Sequence, residues 1–335
     1  MRGFPDVLKN SGSLARRREA GSSLMSRQSI WDDAWLASRK GPADDQIDRR
    51  SNLSYEAFIE EYVKPKRPVI ITDAAARWNA VKTWSLEFFR QRYGDVVLPK
   101  NGRRVSEMID EMLASTPERP SSYAFSMSVP RLFPELMRDI EPAPCYWQPN
   151  WLESPSLLPK RPDHKLHNIT GIEVNIGGAY STFPYIHYDD LWTQTFVAQV
   201  HGRKEWVLYP PDHTARLYPK ERGDNFSQLP VEGGIDLEQY PLFAKVEPLR
   251  FCIEPGEMFY NTPGWWHTTR ALTPSIAVVL STASAPVWPR MIWEVVKATP
   301  RQHKWYKAPF AAAYYASHMV AFGIARSIEE ARTAR

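Results

Sequence analysis

Two histidines and one aspartate have the residue types and the spacing of ligands to a redox-active metal. His187 and Asp189 are separated by one residue, and His267 follows later, in the segment 263–267 (PGWWH). Residues i and i+2 of an extended strand point to the same side, so both members of the His-x-Asp pair can reach one ion. Two imidazoles and one carboxylate leave coordination positions open, as catalytic iron sites require, whereas structural zinc sites are normally closed by four ligands.

The same residues have a simpler interpretation, because a His-x-Asp sequence also arises by chance in surfaces and cores. The context favours a metal: His267 follows the turn 262–264 (TPG) and opens a run typical of a strand, so it can lie beside the pair. The remaining histidines share no spacing with an acid or a second histidine, and we interpret them as structural or surface residues: His164, His167, His201, His213, His303 and His318.

Short β-rich segments separated by Pro and Gly turns surround these residues. Two of them flank the turn at Gly202 and predict a β-hairpin: 194–200 and 204–211. Further segments of this kind are 249–253, 258–260, 267–272 and 276–280. Such a series predicts an antiparallel barrel or jelly roll, the architecture that includes the cupins, with the metal in its mouth.

These motifs, in their order along the chain, resemble the JmjC or cupin-like 2-oxoglutarate oxygenases, and among them most the small JmjC protein hydroxylases. The likeness begins at 54–58 (SYEAF), 66–71 (KRPVII) and 84–89 (WSLEFF), and it covers roughly residues 50–285. It implies a mainly β fold with added helices, in which a double-stranded β-helix (jelly-roll) core carries an N-terminal α/β layer and C-terminal helices.

The resemblance also implies roles for particular residues. His187, Asp189 and His267 would bind Fe(II), and Lys204 would pair with the far carboxylate of the co-substrate 2-oxoglutarate. A buried ammonium needs such a partner, so the assignment agrees with elementary electrostatics. A solvated lysine in a turn is the alternative.

Three further positions are assigned to the co-substrate by the same resemblance. Thr182 is placed there although the family threonine usually lies three residues before the first ligand, where this chain has Pro184. Tyr123 would reach the co-substrate from an earlier strand, with a core tyrosine as the alternative. Ser281, or its neighbour Thr282, occupies the position where family members often have an asparagine.

The implied reaction consumes 2-oxoglutarate and O2, releases succinate and CO2, and hydroxylates an unactivated carbon of a peptide, a protein side chain or an amino-acid-like metabolite. The sequence specifies neither the substrate nor whether the attacked carbon is an N-methyl group, which would make the outcome demethylation. Two alternatives remain: a metal-binding cupin that works without 2-oxoglutarate and a non-catalytic binding module. The first would need no Lys204, and an intact ligand set disfavours the second.

Composition limits the partners. Of the 335 residues, 43% are hydrophobic, which suffices for a core. The formal net charge of +4 is small for this length and demands no nucleic-acid surface. We find neither an apolar run of about 18 residues nor a signal-peptide pattern, so no membrane partner is expected. Cys145 and Cys252 are the two cysteines, and such a low count favours a reducing compartment and hence a cytoplasmic protein.

We expect three parts along the chain. Residues 1–30 are rich in Ser and Arg and predict a disordered basic tail, although they also faintly resemble a transit peptide. Residues 31–290 would form the catalytic domain, with the barrel core at about 165–285. Residues 291–335 would form a helical extension, in which Gly323 and Ser327 interrupt the pattern and restart it as a final short helix. The related hydroxylases dimerise through such helices, so we expect a homodimer; packing on the chain's own barrel is the alternative.

Two other segments have a clear pattern. Residues 106–115 have apolar positions at helical spacing and predict an amphipathic helix. Residues 141–164 are rich in Pro and Trp and predict a long ordered loop. That loop would either bind ligands over the barrel mouth or use Trp147 and Trp151 to cover the outer face of the barrel.

Overall fold

The computed structural model describes residues 27–32, 47–154, 171–221, 224–302 and 306–333. The first six strands are β1 (Arg27–Gln28), β2 (Asp48–Arg50), β3 (Val69–Ile71), β4 (Tyr123–Ser128), β5 (Ile172–Gly177) and β6 (Gln194–His201). The next six are β7 (Lys204–Tyr209), β8 (Ile235–Asp236), β9 (Leu249–Ile253), β10 (Met258–Asn261), β11 (Trp266–Ala271) and β12 (Ser275–Thr282). Of the predicted basic tail, residues 1–26 lie outside the described residues, and β1 pairs with β8.

The α-helices surround this sheet structure. They are α1 (Tyr55–Phe58, continued by the π-helical turn Ile59–Val63), α2 (Asn79–Thr83), α3 (Leu86–Tyr93), α4 (Val105–Leu113), α5 (Val129–Leu132), α6 (Trp288–Gln302) and α7 (Ala308–Thr333). Short 3-10 helices lie between them, at Pro134–Ile140, Cys145–Trp147, Trp151–Glu153, Asp190–Trp192, Pro211–Leu217 and Pro241–Lys245. No described helix combines the length and the apolar character needed to cross a membrane.

Ten strands form two sheets that pack face to face. Seven strands run in the order β2-β3-β10-β6-β12-β5-β4, and three in the order β11-β7-β9. The inner face of the large sheet meets that of the small sheet, for example through Trp206 and Phe259, whose ring centroids are 4.8 Å apart. All strand pairs of the two packed sheets are antiparallel except β2 with β3, which is parallel. This is the jelly roll that the strand pattern and the family resemblance predict, so the predicted fold class is confirmed.

The outer face of the large sheet is covered by the N-terminal helices. Alternate residues of its strands, such as Val174, Phe196 and Val278, lie in one apolar cluster with side chains of α1 to α4. The amphipathic helix predicted at 106–115 is α4, whose buried residues are Val105, Met108, Ile109 and Met112. Because this layer buries one side of the sheet, the opposite, inner side is left to line a site.

The β-hairpin predicted around Gly202 is wrong, although the turn itself exists. β6 pairs with β10 and β12, whereas β7 pairs with β11 and β9, so the turn carries the chain from one sheet to the other. Gly202 has a φ of +67°, and a Cβ there would lie 1.9 Å from the carbonyl oxygen of Pro274. The side-chain amide of Gln199 donates to the carbonyl oxygens of His201 and Gly202, which holds the crossing in place.

The two tryptophans of the Pro-rich loop pack inside the protein. Trp147 contacts Trp78 with ring centroids 5.4 Å apart, and Trp151 lies 5.1 Å from Trp288 and 6.1 Å from Phe322. Their positions favour the covering role over ligand binding for these two residues. Residues 155–164 of the predicted loop lie outside the described residues.

The predicted break in the C-terminal helix is also wrong, because α7 continues through Gly323 and Ser327. Gly323 lies against α6, where a Cβ would come within 2.6 Å of Trp288. The indole of Trp288 in turn donates a hydrogen bond to the carbonyl oxygen of Met319, at 2.9 Å. The glycine therefore allows close packing of two helices, a role that a pattern read along one helix does not reveal.

Candidate metal centre

The residues of the predicted metal site meet where β11 lies beside the segment that contains the His-x-Asp pair. The backbones of His187 and His267 exchange two hydrogen bonds, with N–O distances of 3.0 and 2.6 Å. Asp189 has an extended backbone, and Tyr188 packs its ring 4.9 Å from that of Trp266, in an apolar cluster. As the i, i+2 spacing predicts, one ligand atom from each of the two histidines and the aspartate lies within 4.8 Å of the others.

Hydrogen bonds to the backbone select the nitrogen that each histidine offers. Nδ1 of His267 lies 3.1 Å from the carbonyl oxygen of Trp265, and Nδ1 of His187 lies 3.4 Å from that of Tyr185. A carbonyl oxygen only accepts, so Nδ1 carries the proton in both rings. Each Nε2 therefore keeps its lone pair for a metal ion.

The environment keeps the His187 imidazole neutral. Burial lowers the pKa of His187 well below its ordinary value, and the neighbouring His267 lowers it further. The rings of Phe183 and Phe226 stack on His187, at centroid distances of 4.6 and 5.8 Å. A neutral, oriented imidazole can bind a metal ion without first losing a proton.

A fourth side chain holds the carboxylate of this site. The amide nitrogen of Asn261, at the end of β10, donates to Oδ2 of Asp189 at 2.6 Å. Oδ1 of the same carboxylate lies 3.9 Å from Nε2 of His267. The donor set, two imidazole nitrogens and one carboxylate oxygen with open positions beside them, therefore suits Fe(II). Sequence reasoning missed Asn261, because nothing in its spacing distinguishes it from the other residues of a β-strand.

Lys204 lies further along the barrel interior. Its side chain is 1% exposed, and its ammonium donates to the hydroxyl of Tyr123 at 2.7 Å. Burial lowers the pKa of Lys204 to about 7. The next residue, Glu205, takes the outer side of the strand and forms ion pairs with Arg250 and Arg270.

A threonine that sequence reasoning missed completes this polar cluster. Burial raises the pKa of Tyr123, and a hydrogen bond with Thr269 lowers it in part. Thr269 lies two residues after His267 on β11, so both point into the barrel. The i, i+2 rule that paired the first two ligands could have identified it. Lys204, Tyr123 and Thr269 thus form one cluster on the inner face, beyond the metal residues.

The other two predicted co-substrate residues lie apart from that cluster. The hydroxyl of Thr182 donates to the carboxylate of Glu232 at 2.5 Å, and Thr182 forms a backbone bridge with Arg270, which places it on the outward side of β11. Ser281 lies in register opposite Thr195, and its neighbour Leu280 faces the helical layer, so Ser281 points inward. The role given to Thr182 stays a prediction, with Thr269 better placed for the same contact.

Comparisons with known proteins agree with this architecture. A family described as the cupin-like domain matches residues 100–280, more than half of the chain. A lysine-specific demethylase of Arabidopsis thaliana, JMJ21, is 29% identical over 245 residues, which are 69% of this chain and 25% of the relative.

Two animal proteins are similar at comparable identity. The bifunctional arginine demethylase and lysyl-hydroxylase psr-1 of Caenorhabditis elegans is 27% identical over 292 residues, 79% of this chain and 68% of the relative. The 2-oxoglutarate and iron-dependent oxygenase JMJD4 of Gallus gallus is 23% identical over 265 residues, 70% of this chain and 59% of the relative. The chain therefore spans between a quarter and about two thirds of the length of these three relatives.

Proposed function

Because this chain belongs to the cupin-like, JmjC-type family, we propose that it is an Fe(II)- and 2-oxoglutarate-dependent oxygenase that hydroxylates a carbon atom of its substrate. One observation favours this function over the alternatives. The same barrel interior contains a His-Asp-His set and, beyond it, a buried lysine ammonium. A metal-binding cupin that works without 2-oxoglutarate would not need a buried cation, which is costly unless an anion pairs with it.

One set of side chains would bind the metal ion, and another would bind the co-substrate. His187, Asp189 and His267 would hold the iron, which when bound supplies oxygen activation coupled to the oxidative decarboxylation of 2-oxoglutarate. The ammonium of Lys204 and the hydroxyl of Tyr123 would bind the far carboxylate of the co-substrate. Ser281 stays a predicted contact of that molecule; so does Thr182, although Thr269 is the threonine that contacts Tyr123.

The substrate is proposed to be a peptide, a protein side chain or an amino-acid-like metabolite. The names of the relatives describe action on lysine and arginine residues, by hydroxylation in one case and by demethylation in several. We favour hydroxylation as the outcome. Mass spectrometry of a turned-over peptide distinguishes the two, because hydroxylation adds one oxygen atom and demethylation removes one CH2.

Anaerobic titration with Fe(II) and then 2-oxoglutarate tests the proposed function. A visible charge-transfer band that needs both additions, followed by succinate formation when O2 is admitted, is the expected result. Iron binding without a response to 2-oxoglutarate would move the assignment to a metal-binding cupin of another kind. Absence of both iron binding and succinate would move it to a non-catalytic module.

The pKa of Lys204 predicts how co-substrate affinity depends on pH. Only the protonated ammonium attracts a carboxylate, and in the free protein its pKa is about 7. Binding of the anion raises that pKa, so affinity is constant well below pH 7 and falls above it. We expect roughly a tenfold loss between pH 6 and pH 8 for the metal-saturated protein.

Calorimetric titration over this pH range measures the effect. The matched control ligand is 2-oxopentanoate, which has the same chain length and keto acid but no far carboxylate. Its affinity should vary less with pH, because metal-binding groups alone then contribute. Equal pH dependence for the two ligands would contradict the pairing with Lys204.

A homodimer through α7 is also proposed, and an exposed stripe of this helix supports it. Tyr315, Met319 and Phe322 pack inward, in a cluster with Trp151 and Trp288. The opposite face carries exposed residues at alternating steps of four and three: Phe310, Tyr314, Ser317, Ala321, Ile324 and Ile328. This spacing is that of the seam between two packed helices, and four of the six residues, Phe310, Tyr314, Ile324 and Ile328, are exposed large apolar side chains.

Replacing Ile324 with glutamate is expected to convert the dimer into a monomer. Ile324 is 58% exposed, so the change should leave the fold of a single chain intact while placing a charge in the seam. Light scattering at micromolar concentration measures the mass. Leu113→Glu, an exposed apolar residue at the end of α4, is the control and should leave the dimer unchanged. A monomeric wild-type protein would contradict the dimer.

A further inference from the structure

A row of polar side chains crosses the inner face of the large sheet beside the candidate metal centre. It consists of Asn261, Thr195 and Ser281, which lie directly opposite one another on β10, β6 and β12. The next inward-facing row on the same three strands is apolar and consists of Phe259, Val197 and Val279. On these three strands, an apolar row thus follows the polar row that lies at the level of the metal residues, and the polar row needs an explanation.

Asn261 is the member of the row that contacts the metal residues. Its amide nitrogen donates to Oδ2 of Asp189 at 2.6 Å and lies 3.2 Å from Nδ1 of His267. Because Nδ1 of His267 donates its proton to the carbonyl oxygen of Trp265, it cannot also accept a hydrogen bond from the amide. The hydrogen bond of the Asn261 amide is therefore the one to Asp189. The amide thereby occupies one carboxylate oxygen and leaves Oδ1 as the oxygen nearest Nε2 of His267.

Apart from this bond, the Asn261 side chain lies in an energetically unfavourable environment. Asn261 is 1% exposed, and within the described residues its Oδ1 has no hydrogen-bond partner. A buried amide with an unused oxygen is destabilising, and an apolar residue of similar size would pack at this position at lower cost. The contact with Asp189 is what offsets that cost.

We propose that Asn261 is a positioning residue for the metal ion, which fixes the rotation of the Asp189 carboxylate so that Oδ1 alone faces the two histidines. This inference rests on the metal site of the proposed function and adds a residue to it. Without the amide donor, the buried carboxylate can rotate, and the site loses part of its preorganisation. Groups that hold metal ligands in place typically contribute about 10- to 100-fold to metal affinity.

Three variants and Mn(II) as the probe test the inference without any turnover. Asn261→Leu removes the donor while keeping the number and branching of the side-chain heavy atoms, and Asn261→Val does so with one heavy atom fewer in a residue suited to a strand. Thr195→Val is the matched control, because it removes the neighbouring buried polar atom, which has no hydrogen-bond partner among the described residues and hence no hydrogen bond to Asp189. Binding is measured by calorimetry and by the loss of the free Mn(II) signal in electron paramagnetic resonance.

We expect both Asn261 variants to bind Mn(II) about 10- to 100-fold more weakly than the wild type, and Thr195→Val to bind within about threefold. The melting temperature of the metal-free variants should change little, because losing the donor to Asp189 and removing a buried, unpaired oxygen have opposite effects on stability. The absorption spectrum of bound Co(II) should change shape in the Asn261 variants and stay the same in Thr195→Val, because only the former free the carboxylate.

Two results would overturn the positioning role while leaving the proposed function intact. One is wild-type Mn(II) affinity in both Asn261 variants. The other is a loss of affinity that appears only together with a markedly lower melting temperature of the metal-free protein, which would show a structural role. A wild-type protein that binds no Mn(II) would overturn the metal site itself, and this inference with it.

Discussion

Replacing His267 with alanine is expected to abolish the charge-transfer band and to lower 2-oxoglutarate-dependent succinate formation by at least about a hundredfold. His267 is 5% exposed, and its Nε2 faces Oδ1 of Asp189. Alanine leaves one imidazole and one carboxylate, and these two groups hold a divalent ion weakly. Titration with Fe(II) and 2-oxoglutarate, followed by a succinate assay, measures both effects.

The matched control for this change is His201→Ala. His201 is half-buried at the end of β6, and Gln199 contacts its backbone oxygen, which the substitution retains. The control should keep both the band and the succinate yield, so a loss confined to His267→Ala assigns the effect to metal binding. A His267→Ala variant that keeps the band would refute the proposed ligand set.

Replacing Lys204 with methionine is expected to weaken 2-oxoglutarate binding by about a hundredfold or more and, at the same time, to stabilise the ligand-free protein. The weakening follows because the far carboxylate of the co-substrate loses a charge-assisted partner inside the barrel. The stabilisation follows because burial lowers the pKa of Lys204 to about 7, which means that an ammonium is costly at this position. Opposite signs for binding and stability are the specific signature of this residue.

Calorimetry with metal-saturated protein and thermal unfolding of the ligand-free protein measure the two quantities. We expect unfolding to shift upward at pH 7, by an amount that corresponds to a few kcal/mol at most. Lys245→Met is the control, because Lys245 is exposed and should change neither quantity beyond experimental scatter. Unchanged 2-oxoglutarate affinity in Lys204→Met would contradict its assignment to the co-substrate.

Tertiary contacts account for the errors in the sequence-based predictions. The hairpin around Gly202 was predicted from two adjacent β segments and a tight turn, and all three exist. The error concerns the pairing, because β6 and β7 find their partners in strands distant along the chain. The break at Gly323 was likewise inferred from local pattern, whereas close packing against Trp288 explains the glycine.

The arrangement of the interior explains which site residues could be identified early. His187 and Asp189 could be identified from the sequence because strand alternation is a local rule. Lys204 could be identified because the family resemblance places it. Thr269 follows the same alternation from His267 and was missed. The direction of the Thr182 side chain, by contrast, does not follow from a local rule. It points outward because Thr182 bridges Arg270, and that register depends on how two distant segments align.

Features that depend on near neighbours in the chain were therefore readable without coordinates: the metal-type ligand spacing, the amphipathic α4 and the jelly-roll class. Features that depend on distant neighbours were not. The amide of Asn261, on β10 of the large sheet, meets Asp189, whose segment is bridged through His187 to β11 of the small sheet. Lys204 meets Tyr123 because β7 and β4 belong to facing sheets. The reason is physical: a side chain's direction follows from its own backbone, whereas its partner and its burial follow from how the sheets assemble.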